Sequence, residues 1–374
     1  MRTVMSSARL GCRVFLTALC LLALLPMSRL PAEVKAAAVI QVKGRWIVGP
    51  GGRATPPGSF TRGLQTSGLV YSRGSLLSLG DQRSAFPGHV FCIDPTTARL
   101  RQPPVRIEVS ASAPDTRELA GFRATVNPDF EGLTVHPARP NTLLAVTEDK
   151  SPSVAAIRLH WQEPASTPPF LARAEIVALT PVVYPAGVEG WRGDTNFRLE
   201  GCTAAPSEGT FYLAFERARD DLPRLLAMDL AAVEANESTT LRDVPLNFAA
   251  VARRPDKSRA RLNLNGLDAL RTRPLLVAVA RDQERILVLE PQSQVVRRVV
   301  DLDLRTPEGF SIEWVSPEGL AVDASSNRLW LVNDPDSVRG NYRARDAQQA
   351  EGRFAEFAPL LFQLALSDVV DSTP

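Results

Sequence analysis

Carboxylate or amide side chains stand directly before the glycine in four copies of a phrase that recurs along this 374-residue chain. Carboxylate and amide oxygens are ligands that hard cations prefer, and Ca²⁺ accepts irregular shells of about 6–8 oxygens. Carboxylates that a fold brings within a few ångströms of one another must share protons or hold a cation. The pattern therefore predicts a Ca²⁺ site with the ligands Glu131, Glu200, Asn265 and Glu318.

A second set of acidic side chains lies downstream of these positions, where a second apolar run ends. Carboxylates beside a metal centre can orient or deprotonate a water that attacks an ester or phosphoester. The residues predicted to do this are Asp81, Asp149 and Asp334. Hydrolysis of an ester bond is thus one interpretation of the pattern, and whether the chain is an enzyme stays open at this point.

Ion pairing is the alternative role for the acids that precede the glycines. A Glu at the head of a strand can pair with a basic side chain of a neighbouring repeat and so join the two repeats. Suitable bases are Arg83, Lys150, Arg198, Arg217 and Arg281. Under this interpretation the acids stabilise the fold and bind no cation.

The acids belong to a phrase that recurs five times. Each copy has a small or acidic residue (Asn265 in the fourth), a Gly, an apolar run, a turn and a second apolar run. The copies occupy residues 66–82, 130–149, 199–217, 264–282 and 317–334. Apolar runs separated by Pro, Gly, Asn or Ser are typical of a β-hairpin. Self-similarity of this kind indicates a repeat architecture.

Further strand-like runs follow each hairpin, which gives up to four strands per repeat. Four antiparallel strands repeated around an axis form a β-propeller, so we predict an all-β propeller of five blades. Six blades are the alternative count if residues 95–125 or 160–195 contain a degenerate blade, and two β-sandwiches are the alternative fold. The last repeat lacks a fourth strand, and residues 38–48 are predicted to supply it and close the ring. In such a ring, the heads of the first strands and the ends of the second strands meet at one mouth of a central channel.

The N-terminus has the features of a secretory signal peptide. Arg2, Arg9 and Arg13 precede an apolar run over residues 14–27, and small residues follow. The run is shorter than a transmembrane helix, which needs about 20 apolar residues. Cleavage is predicted after Ala32 or within residues 36–38. We therefore predict a signal peptide over 1–37, a propeller domain over 38–374, a periplasmic or secreted location and no membrane span after cleavage.

Composition and motifs exclude several classes of function. The chain has 43 basic and 41 acidic residues, so bulk attraction to nucleic acid is not expected. It contains no G-x-S-x-G elbow, no P-loop, no G-x-G-x-x-G fingerprint and no zinc-ligand spacing. The predicted mature part has two cysteines, Cys92 and Cys202, and their positions allow either free thiols or a disulfide.

Residues 67–82, 130–149 and 316–334 resemble the secreted bacterial proteins known as phytase-like, or "esterase-like activity of phytase", proteins. The SdiA-regulated and gluconolactonase-like propellers have similar phrases, and the latter often use the Glu before the glycine as a channel calcium ligand. The resemblance covers essentially the whole predicted propeller domain and implies a secreted propeller that hydrolyses phosphate or other esters. The residues that match the family pattern are Ser67, Asp81, Glu131, Glu148, Asp149, Glu200, Glu216, Glu318 and Asp334.

Two functions of different classes follow from these observations. The first is a monomeric Ca²⁺-dependent esterase or phosphoesterase that acts on a small molecule at the acidic mouth of the channel. Bound Ca²⁺ would have to supply positive charge for a phosphorylated substrate, because the predicted mouth has more acids than bases. The second is a non-catalytic secreted scaffold, whose recognition loop would be residues 335–357.

Overall fold

A computed structural model gives the fold of most of the chain. The described residues are 34, 36–49, 64–80, 82, 84–111, 113, 129–148, 152–163, 169–188, 198–205, 209–218, 220–257, 259–312, 315–334 and 359–370. Most of the predicted signal peptide, the loop 335–357 and two of the predicted catalytic residues, Asp81 and Asp149, lie outside them. Within these ranges, no helix combines the length and the apolar character needed to cross a membrane.

Strands dominate the described part of the chain, as the apolar runs of the sequence predict. In chain order the strands are β1 (Ala38–Lys43), β2 (Arg45–Trp46), β3 (Thr66–Ser72), β4 (Ser75–Gly80), β5 (His89–Ile93), β6 (Val105–Val109), β7 (Phe130–Val135), β8 (Thr142–Thr147), β9 (Ser153–Gln162), β10 (Phe170–Val183), β11 (Leu199–Ala205), β12 (Thr210–Phe215), β13 (Arg224–Asp229), β14 (Thr239–Thr240), β15 (Arg242–Val244), β16 (Leu267–Leu270), β17 (Leu275–Ala280), β18 (Arg285–Glu290), β19 (Val295–Arg305), β20 (Pro317–Asp323), β21 (Arg328–Asn333) and β22 (Leu360–Ala365). Two short helices, α1 (Leu230–Ala235) and α2 (Leu366–Val370), follow β13 and β22.

Each repeat of the sequence forms an antiparallel unit whose successive strands are hydrogen-bonded neighbours. From the first strand outward, the units are β3-β4-β5-β6, β7-β8-β9-β10, β11-β12-β13-β15, β16-β17-β18-β19 and β20-β21-β22-β2. The first two units share one sheet, because β6 and β10 pair in parallel, with Ile107 opposite Ala174.

The first strands of the units contact one another in a closed cycle. Strand β3 contacts β7, β7 contacts β11, β11 contacts β16, β16 contacts β20, and β20 returns to β3. Units that radiate from a closed cycle of first strands form a β-propeller. The predicted all-β propeller is therefore confirmed, whereas the number of blades in the whole chain stays a prediction.

The glycine of the repeated phrase permits the close approach of neighbouring first strands. A Cβ on Gly132 would lie within 3.0 Å of the backbone of Gly201, and a Cβ on Gly201 would lie equally close to the backbone oxygen of Asn265. Only glycine allows this contact between backbones. The five glycines of the phrase thus mark where the strands pack around the axis.

The N-terminal segment closes the ring in a different way from the prediction. Only Arg45–Trp46 pairs with β22 as the outer strand of the last unit. Residues Ala38–Lys43 instead pair in parallel with β19, as a fifth strand of the preceding unit. The step between the two units falls at Gly44, where a Cβ would lie 2.8 Å from the ring of Phe362. A single strand over 38–48 is therefore a wrong prediction, since the segment has to cross from one unit to the next.

Apolar side chains fill the spaces between neighbouring units. One cluster joins the last unit to the first and contains Phe91, Trp330 and Leu361, each at most 3% exposed. Both Cys92 and Cys202 are buried free thiols in different units. Burial raises the pKa of Cys92 to about 12, so this thiol is not a reactive nucleophile.

Candidate functional site

Several acids of the described residues collect at one end of the channel. Antiparallel pairing sets Leu199 opposite Phe215 and Pro317 opposite Asn333, so the heads of first strands and the ends of second strands lie together. We call this end the acidic mouth, and its members are Asp129, Glu131, Glu148, Glu200, Glu216 and Glu318.

A β-bulge coincides with the acid in three first strands. Glu131, Glu200 and Glu318 have no opposite residue in the register of their hairpins. A bulge leaves one residue unpaired and re-aims its side chain. All three acids are nevertheless buried, at 8%, 8% and 9% exposure. The bulge therefore directs these three acids into the mouth.

The buried acids raise one another's pKa. Burial is the first cause for Glu131, and the charges of Glu200, Glu148, Glu318 and Asp129 add to it, so its pKa lies well above the usual value. Burial and neighbouring acids raise the pKa of Glu200 in the same way. The structure therefore brings the sequence-predicted acids close enough to interact, and their predicted role as metal ligands stays a prediction.

Asn265 lies in the same mouth and is 1% exposed. Its Nδ2 donates a hydrogen bond to Glu200 Oε2 over 3.1 Å, which joins the third and fourth units. Its Oδ1 is buried, and none of the residues that the structure describes forms a hydrogen bond with it. The amide thus offers a free oxygen to the mouth, as a cation ligand would.

A single arginine pairs with two acids in one half of the mouth. Arg281 Nη1 donates to Glu318 Oε1 over 2.6 Å, and Arg281 Nη2 donates to Glu216 Oε1 over 2.5 Å. Asn263 Nδ2 adds a 3.2 Å hydrogen bond to the same oxygen of Glu216. On this side the alternative interpretation of the acids, ion pairing between repeats, is realised.

Asp129, Glu131 and Glu148 lie together in the other half of the mouth. Asp129, Glu131 and Glu148 each place a carboxylate oxygen within 4.8 Å of the other two. Among the described residues, no base forms an ion pair with Glu131 or Glu148. Arg198 approaches Glu148, but its Nη1 donates to the backbone oxygen and not to the carboxylate. We call Asp129, Glu131 and Glu148 the acid triad.

Burial and the neighbouring charges of Asp129 and Glu216 raise the pKa of Glu148 to about 8, against the opposing effect of Arg198 and Arg281. Its Oε1 is buried, and no group in the described part of the chain forms a hydrogen bond with it. A hard cation can stabilise such a carboxylate oxygen in place of a proton. The chemistry of the triad therefore fits Ca²⁺.

Of the three predicted catalytic acids, the described residues include Asp334. Asp81 and Asp149 lie outside the described residues. Asp334 follows β21 at the same end of the channel, where its backbone nitrogen donates to the Ser316 oxygen over 3.1 Å. Its predicted role in activating a water stays a prediction.

The sequence prediction missed two features of the site. It did not include Asp129, and it did not predict that Arg281 bridges two acids. Asp129 lies two residues before Glu131, and alternate residues of an extended chain face the same side. Asn263 stands in the same relation to Asn265. This two-residue spacing was the available signal for Asp129, whereas no spacing indicates that Arg281 bridges acids from two other units.

Comparison with known proteins leaves the family open. No family model matches the chain, and no curated protein matches it significantly. Among solved structures, the chain is similar to glutaminyl cyclase from Myxococcus xanthus, with a TM-score of 0.43, 14% identity and coverage of 89% of this chain and 99% of that one. It is also similar to the calcium-binding protein regucalcin from Agrobacterium tumefaciens, with a TM-score of 0.42, 10% identity and coverage of 88% and 95%. At these scores and identities the likeness assigns neither a family nor an activity to the chain.

Proposed function

We propose that this protein is a Ca²⁺-dependent hydrolase that acts on an ester or phosphoester of a small molecule at the acidic mouth. The observation that carries the proposal is the acid triad of Asp129, Glu131 and Glu148, whose oxygens lie within 4.8 Å of one another. It is supported by the asymmetry of the mouth, since Arg281 pairs with two acids of the opposite half.

The acid triad would hold the cation, and Glu200 and Asn265 would complete its oxygen shell. Asn265 Oδ1 has no hydrogen-bond partner within the described ranges, and Glu200 keeps an oxygen beyond its bond to Asn265. Glu318 binds Arg281 through Oε1, so we assign it mainly to holding that arginine. This assignment refines the ligand set of Glu131, Glu200, Asn265 and Glu318 that the sequence predicts.

When bound, Ca²⁺ polarises a carbonyl or phosphoryl oxygen and lowers the pKa of a bound water. Glu148, like the rest of the triad, would be ionised when it holds the cation, so no proton transfer is assigned to it. Both Nη atoms of Arg281 are held by Glu216 and Glu318, so positive charge for an anionic group of the substrate would come from the cation. Asp334, with Asp81 and Asp149 beyond the described residues, is proposed to orient the attacking water.

Assay of the purified protein on phosphate monoesters, carboxyl esters and lactones, with Ca²⁺ and with EDTA, tests this proposal. We expect hydrolysis of at least one class, its loss with EDTA, and its loss in Glu200→Gln without loss of folding. Glu237→Gln is the matched control, because Glu237 is an exposed acid outside the mouth. No hydrolysis of any class by a protein that binds Ca²⁺ would favour the non-catalytic scaffold.

The location and the partners are part of the same proposal. We propose a periplasmic or secreted monomer, because residues 1–37 have the features of a signal peptide. Its partner would be a small-molecule ester and not a nucleic acid, since 43 basic and 41 acidic residues give no bulk positive field. Membership of the phytase-like family is proposed on the repeated phrase alone.

A further inference from the structure

A second cavity lies at the opposite end of the channel from the acidic mouth. Its volume is about 380 Å³, within the ~300–1,000 Å³ range of small-molecule sites. It opens where first strands β3, β7, β16 and β20 end or turn. We call it the turn-side pocket, and its lining includes Val70, Tyr71, Thr134, Asp268, Arg271 and Val322.

Asp268 forms part of the wall of the turn-side pocket and connects three units. Its Oδ1 accepts from Ala269 N over 2.8 Å and from Thr203 Oγ1 over 3.3 Å, and its Oδ2 accepts from Val322 N over 2.8 Å. An ionised carboxylate has about four acceptor sites, so one remains for a ligand. No described base forms an ion pair with Asp268.

Arg271 lines the same pocket only three residues farther along the chain. Its side chain is exposed, and among the residues that the structure places it has no ion-pair partner. The arginine is close enough to oppose the burial that raises the pKa of Asp268 to about 6. Asp323, the other acid of the lining, is held within its own turn by Ser325 and Ser326. Asp268 and Arg271 thus face the cavity without pairing, which suits a ligand that carries both charges.

The remaining walls add a hydroxyl and an apolar surface. Thr134 is 5% exposed, and no described group forms a hydrogen bond with its hydroxyl. Tyr71 stacks on Trp330 with 5.1 Å between ring centroids, which fixes its position beside Val70. A small apolar group could therefore lie against Tyr71, Val70 and Val322.

We propose that the turn-side pocket binds a free α-amino acid as its zwitterion. The ammonium group would donate to Asp268, the carboxylate would accept from Arg271, and the side chain would contact Val70, Tyr71 and Val322. Thr134 would supply a further hydrogen bond to the carboxylate. This site is separate from the proposed Ca²⁺ site and does not depend on it.

Calorimetric titration of the full mature protein tests the proposal with three matched probes. L-Leucine carries both charges, isopentylamine lacks the carboxylate, and 4-methylpentanoate lacks the ammonium group. We expect leucine to bind at least about tenfold more tightly than either probe, since each charged contact is worth about 1.4 kcal/mol or more. Equal binding of one single-charge probe, or no binding of leucine, would overturn the proposal.

Two arginine variants test whether leucine binds in the turn-side pocket or elsewhere on the protein. Arg271→Ala is expected to weaken leucine binding about tenfold, while Arg273→Ala, an exposed arginine outside the lining, leaves it unchanged. Because Arg271 is exposed, its loss should not unfold the protein, and the melting temperature checks this. Unchanged leucine affinity in Arg271→Ala would contradict the proposal. Leucine affinity is also expected to be the same with Ca²⁺ and with EDTA, so this test and that of the hydrolase fail independently.

Discussion

Arg281 Nη1 donates a 2.6 Å hydrogen bond to Glu318 Oε1 and thereby ties the fourth unit of the propeller to the fifth. The same guanidinium binds Glu216 of the third unit. One guanidinium thus spans three units and pairs with two acids of the acidic mouth. The proposed Ca²⁺ site depends on the other half of the mouth, where the acid triad lies.

Replacement of Arg281 should lower the free energy of unfolding by several kcal/mol, as about 3–5 kcal/mol is lost when a buried pair is broken. Arg281→Met leaves Glu216 and Glu318 buried without their partner. Urea unfolding of the variant measures the loss. Arg297→Met is the control, because Arg297 and its partner Glu290 form a pair at the surface, where such pairs contribute about 0–1 kcal/mol. An equal loss of unfolding free energy in the two variants would show that the ion pairs of Arg281 stabilise the fold no more than a surface pair does.

The metal-free protein should become less stable as the pH rises from about 4.5 to about 8. The pKa of Glu148 rises from 4.5 to about 8 on folding, and those of Glu131 and Glu200 also rise. The folded state therefore binds more protons than the unfolded state in this window, so the free energy of unfolding falls with increasing pH. Melting temperatures in EDTA across the window check the sign. Saturating Ca²⁺ should flatten the trend, because the metal replaces the protons; a stability that rises with pH in EDTA would contradict the prediction.

Substitution of a glycine of the repeated phrase by alanine should destabilise the protein. In Gly201→Ala the new methyl group would collide with the backbone oxygen of Asn265, and such overpacking costs about 1–3 kcal/mol or more. Gly209→Ala is the matched control, because its Cβ would meet nothing within 4 Å and only the positive φ of 61° is unfavourable. Chemical denaturation should show the larger loss for Gly201→Ala. A smaller loss there than at Gly209 would mean that the first strands do not pack through their glycines.

The mature N-terminus should begin at Glu33. Val34 N donates to Ala250 O over 2.7 Å, and Ala37 N donates to Val299 O over 2.8 Å, so both residues belong to the propeller. Of the two predicted cleavage positions, the one after Ala32 keeps these bonds. N-terminal sequencing of the exported protein checks the prediction, and a chain that starts after Ala36 would contradict it.

The sequence alone predicts the positions that repeat and misses those that do not. Glu131, Glu200 and Glu318 precede a glycine in one recurrent phrase, so their convergence at one mouth follows from the propeller geometry. The long side chain of Arg281 reaches two other units, and only the packed ring determines which acids it meets. The path of residues 38–46 is likewise fixed by packing, since both β19 and β22 present an open edge that a strand can join.

Calcium binding by the wild type and Glu131→Gln, measured by equilibrium dialysis at neutral pH, tests the proposed metal centre most directly. We expect about one Ca²⁺ per wild-type chain and at least about tenfold weaker binding in Glu131→Gln, which removes one anionic ligand of the triad. The variant should be folded and, without metal, at least as stable as the wild type, because a repelling charge is lost. Glu237→Gln should bind like the wild type. A wild-type protein that binds no Ca²⁺, or a Glu131→Gln variant that binds it equally well, would contradict the proposed site.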